Sequence, residues 1–164
     1  MTASLEMQKE FIENAISFVR RMGLKVLELQ PRYVRLMAPL KGNENHIGSM
    51  YAGALFTLAE IPGGALVISA FDVSRFYPVV KEMTLRFRRP AAGDVTIEMS
   101  LSEEEVSRIR TEAAARGKSE FVLTGEIRNA GGETVAESRG VYQLRAMVNG
   151  ADVLTAMKSI YEPC

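Results

Sequence analysis

Residues 52–71 form a 20-residue run with a single charged side chain, Glu60. Charged residues make up 24% of the chain, so a run of this length would hold about five at average composition. A helix that is apolar all round must be enclosed, either by lipid or by its own protein. Its length suits a membrane span, but its content does not. It is rich in Ala, Gly, Ser and Thr, is interrupted by Pro62-Gly63-Gly64, and has no Lys or Arg bracketing its start. Glu60 lies near its middle, where a carboxylate costs about 2.5–3.5 kcal/mol in a bilayer. The expectation is a helix buried inside a soluble protein, with no membrane span.

The remainder of the chain can supply that enclosure. Its 164 residues are one domain's worth, residues 1–164, able to bury roughly 70% of the unfolded surface. A hydrophobic content of 47% excludes disorder. Twenty basic and twenty acidic residues balance to zero, which argues against nucleic acid as the main partner. The only cysteine is Cys164, which fits a reducing compartment and a frayed tail. Residues 1–10 carry two glutamates and a lysine and no apolar stretch, unlike a secretory signal. A cytoplasmic location is expected.

Apolar spacing predicts an N-terminal helix over 7–22, within residues 1–22, stopped by Gly23. Strands at 24–30 and 33–38 are joined by a turn at Pro31-Arg32. Residues 41–50 are polar and read as a loop. The apolar helix follows over 51–71, kinked by Pro62. A strand over 79–89 should place Val79, Lys81, Met83, Leu85 and Phe87 on one face, with Val80, Glu82, Thr84, Arg86 and Arg88 on the other. Pro90 to Gly93 is a turn before a strand at 94–101. Ser102 and Glu105 form a capping-box signature for a surface helix over 102–116 that ends at Gly117. Strands at 120–128 and 134–147 flank a hairpin loop at 129–132, and a short helix is expected after Asn149. Strands joined by hairpins should form one antiparallel sheet, large enough to wrap around the central helix. The expected class is α+β.

The chemistry concentrates at Asn45-His46-Ile47-Gly48-Ser49-Met50-Tyr51-Ala52-Gly53 and at Glu60. Ala52 and Gly53 fall in the first turn of the helix, where backbone N–H groups lack partners and the dipole end is positive. Small side chains let a ligand oxygen approach, so this end can hold an oxyanion. Glu60 lies about 11–12 Å further along by helical rise. That is too far to act on a carbonyl held at its own helix start, but it can serve a site completed by a neighbouring subunit. A buried carboxylate is costly unless paired or used.

This pattern resembles the loop and central-helix motif of hotdog-fold acyl-CoA thioesterases, closest to the phenylacetate-pathway and human mitochondria-associated branch. Those enzymes read roughly Asn-His-Leu-Gly-Thr-Leu-His-Gly-Gly, then Leu-x-Asp. The specific motif covers about residues 43–64, and the predicted element order also matches. The resemblance implies a hotdog fold, an antiparallel sheet wrapped around a long central helix. It implies that Asn45 orients the thioester or water, that the Ala52 N–H, with Gly53, forms an oxyanion hole, and that Glu60 is the general base or nucleophile. It also implies that the two halves come from two subunits, in a homodimer or a dimer of dimers (homotetramer). Tyr51 stands where the family has His, Ala52 where it has Gly, and Glu60 where it has Asp; Val80 falls where some members carry Ser.

His46 and Tyr51 border this motif as candidate substrate contacts. His46 precedes Glu60 by fourteen residues, the His–Glu separation of hotdog β-hydroxyacyl thioester dehydratases, but the prolines of that family's loop are missing. Arg86, Arg88 and Arg89 suit the phosphates of coenzyme A, and a solvated strand face explains them equally. Nine methionines suit an adaptable acyl pocket or plain core. No nucleophile elbow, phosphate loop, metal cluster or dinucleotide fingerprint occurs. The expected activity is hydrolysis of an acyl-CoA thioester. No metal or cofactor is expected, and coenzyme A enters only as part of the substrate. A dehydratase and a non-catalytic acyl-CoA binding protein remain as alternatives.

Overall fold

The computed structural model describes residues 4–147. The elements run α1 (Leu5–Asn14), α2 (Ser17–Met22), β1 (Lys25–Gln30), β2 (Tyr33–Ala38), α3 (Ala52–Ala70), β3 (Phe76–Phe87), β4 (Val95–Ser100), α4 (Glu103–Arg116), β5 (Lys118–Asn129) and β6 (Thr134–Ala146). The tail helix expected after Asn149, and Cys164, lie outside the described residues.

One six-stranded sheet has the order β1-β2-β4-β5-β6-β3, every pairing antiparallel. It curls around α3. Ten residues of that helix are buried, and Leu58, Ala59, Leu66 and Val67 are wholly inaccessible. The helix has the length and hydropathy of a membrane span, and what surrounds it is the chain's own sheet. Burying each such Leu side chain is worth about 1.5–3 kcal/mol, so the charge-free run is the imprint of this enclosure. The architecture is the hotdog fold, α+β in class.

The sheet departs from a succession of hairpins. β3 pairs with β6 at one edge and β4 with β2 and β5 inside. The segment around Pro90 is therefore a crossover, not a hairpin turn. It is held against the end of the sheet by the N–H groups of Arg88 and Arg89, which donate to Val135 O at 2.8 and 3.2 Å. Ala91 is buried there, and its carbonyl accepts from Met50 N at 2.9 Å. This crossover thus fixes the loop that enters α3.

Two local predictions need correction. The single N-terminal helix is two. Asn14 Nδ2 donates to the Glu10 carbonyl at 3.0 Å, a local competitor of the helical ladder, and β-branched Ile16 is extended at φ −99°, ψ 116°. The faces predicted for the strand after α3 also change. A bulge between Val80 and Glu82 shifts the register by one, and one residue inverts every later side chain. Phe76, Pro78 and Val80 therefore share the helix-facing side with Met83, Leu85 and Phe87, while Val79 falls on the outer face. Pro62 lies inside α3, which is continuous through it. Lacking an N–H, it leaves the Leu58 carbonyl without its helical donor.

The surface helix forms as its sequence dictates. Ser102 Oγ accepts from Glu105 N at 3.1 Å, Glu105 Oε2 accepts from Ser102 N at 2.9 Å, and Gly117 closes the helix at φ 79°.

Candidate active site

The loop before α3 is built by two asparagines. Asn43 Nδ2 donates to the carbonyls of Met22 and Pro39 at 2.7 and 2.8 Å, and its own carbonyl accepts from Tyr51 N at 2.7 Å. Asn45 Oδ1 accepts from the N–H groups of Ile47 and Ser49 at 3.0 and 3.2 Å, and its Nδ2 donates to Ser49 Oγ at 2.9 Å. An Asn amide has two N–H donors, and one of them has no partner among the described residues. Asn45 therefore shapes the loop as well as bordering the site. Gly48, at φ 86°, supplies the left-handed residue the turn needs. Asn43 escaped the sequence reading because an Asn in a Gly-rich loop signals a turn and not which carbonyls it ties together.

This loop delivers Tyr51 as the N-cap of α3 without any side-chain capping bond. Among the described residues the N–H groups of Ala52 and Gly53 find no acceptor. They are orphan donors at a positive helix end. Beside them lies an open groove of about 350 Å³, bordered by Asn45, Ser49, Ala52 and Leu55 on one side and Phe87, Arg88 and Arg89 on the other. Loop, helix start and crossover thus meet at one place.

Glu60 is elsewhere. The less buried positions of α3 are Ala52 and Gly53 at its start, Ile68 to Ala70 at its end and, between them, Phe56, Thr57, Glu60 and Gly64, which share one stripe by the three-to-four spacing. Glu60 sits in its middle, about 12 Å from Ala52 by rise. Its carboxylate makes no ion pair or hydrogen bond among the described residues. Burial alone pushes its pKa above the ordinary carboxylate value. Its backbone carbonyl, in contrast, accepts a 2.9 Å bond from Tyr142 Oη. A desolvated carboxylate without a partner is poised to accept a proton.

The remaining candidates divide. Tyr51 lies over Gly53 and is exposed. His46 is exposed on the loop. Arg88 borders the groove but pairs with Glu137 at 2.7 Å, as neighbouring Arg89 does with Glu133 at 2.5 Å. Arg86 lies opposite Glu137 in the β3–β6 register, on the outer face. A phosphate held by Arg88 has to compete with that carboxylate. The structure thus gathers Asn45, Ala52, Gly53 and Arg88 at the helix start, and sets Glu60 apart on the open stripe. Tyr142 was missed because alternation marks it only as a core-facing residue of β6.

A family model described as a domain of unknown function, DUF4442, matches residues 5–144. The chain belongs to the DUF4442 family. A comparison with curated proteins finds no match. Among solved structures, this DUF4442 chain resembles a Pseudomonas aeruginosa protein of unknown function described as a probable thioesterase. The two are 55% identical, with 90% of this chain and 99% of that one covered, at a TM-score of 0.85. A protein of unknown function from Chlorobaculum tepidum shares the fold at 19% identity and TM-score 0.75, over 85% and 93% of the two chains. A thioesterase from Haemophilus influenzae does so at 16% identity and TM-score 0.70, over 91% and 95%. The last two likenesses concern the fold alone.

Proposed function

We propose that this protein hydrolyses acyl-CoA thioesters, at two equivalent sites formed between the subunits of a homodimer. The observation that carries the reading is Glu60: a half-buried carboxylate with no partner among the described residues, on the less buried stripe of a mostly enclosed helix. The resemblance to the probable thioesterase from P. aeruginosa supports the reaction class. The separation of Glu60 from its own helix start supports the shared site. So does β3, a 12-residue strand at a sheet edge that offers unpaired backbone groups to a second copy.

In this mechanism Glu60 takes a proton from water, and the hydroxide adds to the thioester carbonyl carbon. The resulting oxyanion is held by the Ala52 and Gly53 N–H groups of the other subunit, with Asn45 orienting the reactants. Collapse breaks the C–S bond, and the thiolate recovers the proton from Glu60. The products are the free acid and coenzyme A, and the carboxylate is regenerated. In the alternative nucleophilic route, Glu60 attacks directly and water hydrolyses the anhydride formed.

The test is free-thiol release from a panel of acyl-CoAs by wild type and Glu60→Gln. The expected result is turnover of at least one thioester by wild type and its loss in the variant. Equal release from both overturns the assignment of Glu60.

A further inference from the structure

We infer that Tyr142 is a positioning residue for Glu60: its hydroxyl ties the helical turn that bears the carboxylate to strand β6. This rests on the proposed role of Glu60.

The turn needs an external tie. Pro62 donates no hydrogen bond, and Gly63 and Gly64 are the poorest helix formers after proline. The helix is therefore weakest immediately after the carboxylate it presents. Tyr142 Oη donates to the Glu60 carbonyl at 2.9 Å, and its ring is held on three sides. A Cβ on Gly63 would lie 2.1 Å from Cε1 of the ring, and one on Gly140 2.5 Å from Cε2. Phe121, its register partner on β5, stacks on it at 5.6 Å and 18°. Tyr142 is 1% exposed, so this hydroxyl has little freedom to move.

The direction of the bond also has a consequence. A phenol has one proton to give, and here it goes to the main chain instead of the carboxylate. Glu60 is thereby fixed in place without being hydrogen-bonded in its charged form, which keeps it a strong base. Glu60 makes no ion pair among the described residues, and Tyr142 is the titratable group that β6 presents to it. A core phenylalanine would fill the same socket, so the hydroxyl is the part that packing does not explain.

Tyr142→Phe removes only that hydroxyl. The expected result is a fall in kcat of about 10- to 100-fold from misplacement of the base, with KM within about twofold. Tm should fall only by about 2–4 °C, the usual effect of one buried hydrogen bond in a domain of this size. Loosening the turn admits water to Glu60, so the acid limb of the pH–rate profile moves to lower pH. Carboxyl ¹³C NMR should show the same downward shift in the Glu60 titration, and this readout needs no substrate. An unchanged Glu60 titration in Tyr142→Phe overturns the inference, whether or not activity falls. If Glu60→Gln is inactive while Tyr142→Phe matches wild type, Glu60 keeps its role and Tyr142 loses its own. If Glu60→Gln is fully active, the functional reading fails first.

Discussion

The ring of Tyr51 lies across Gly53: a Cβ added at Gly53 would meet Cε1 of Tyr51 at 2.4 Å. Both residues belong to the start of α3, where the two orphan N–H groups are. Tyr51 is 57% exposed, so its ring can rotate into solvent. Ala also favours the helix over Gly by up to about 1 kcal/mol. Gly53→Ala is therefore expected to leave Tm unchanged or raise it by about 2–4 °C. It should nevertheless slow thioester hydrolysis, because the methyl and the displaced ring crowd the approach to the N–H groups. Thermal denaturation and initial rates on the same preparation check both halves.

The same substitution ten residues later has the opposite outcome. At Gly63 the added Cβ meets Tyr142 at 2.1 Å, and that ring, stacked on Phe121, has no route to solvent. Gly63→Ala is expected to destabilise by about 1–3 kcal/mol, the usual cost of overpacking a filled core. Urea denaturation should show the lower midpoint. A variant as stable as wild type would mean that the socket around Tyr142 is looser than these distances imply.

Glu60 gives a pH-dependent prediction. Its folded-state pKa is raised by burial, so the folded protein holds this proton more tightly than the unfolded chain. The stability linked to it is fully present below the ordinary carboxylate pKa and is lost as pH rises through the raised folded value. Gln carries no charge to desolvate. Glu60→Gln should therefore match wild type in Tm near pH 4. It should exceed wild type in Tm at pH 7–8, where the buried carboxylate is charged. A constant difference between the two across that range would show that desolvation of Glu60 is not the cause.

These residues show where the sequence is informative and where it is not. The charge-free run announced a helix enclosed by its own sheet, because exclusion of charge is a property of the segment itself. The Ser102–Glu105 cap and the hairpin between β5 and β6 were legible for the same reason: the interactions that make them are local. The bulge at Lys81 was not, since an alternating strand looks the same with or without one extra residue, yet it carries Val80 to the helix-facing side. The place of β3 beside β6 depends on a crossover that no local pattern encodes. In the candidate site, Glu60 and the small residues at the helix start were readable as chemistry out of place in a core. Tyr142 was not, because its partner is a main-chain carbonyl 82 positions away, and Gly63 read as a helix interruption when it is the space that admits the ring.

The two-subunit site can be tested with one backbone atom. Tyr51 has φ −63° and ψ 137°, the extended conformation a residue preceding proline requires. Ala52, exposed at the first position of α3, is where proline is best tolerated in a helix. Ala52→Pro thus deletes a single orphan N–H while the helix stays intact. Loss of one oxyanion donor costs about 10²–10³ in kcat, so the variant should be folded, as stable as wild type, and nearly inactive. Glu60→Gln lacks the other half. If each site takes its carboxylate from one subunit and its N–H groups from the other, each mixed dimer contains one intact site and one doubly damaged site. Equal mixing with free subunit exchange makes half the dimers mixed, so activity should recover to about 25% of wild type. The check is to denature and refold the two inactive variants together and measure thiol release, with each refolded alone as control. Recovery no greater than the sum of the controls would place both halves of the site in one chain.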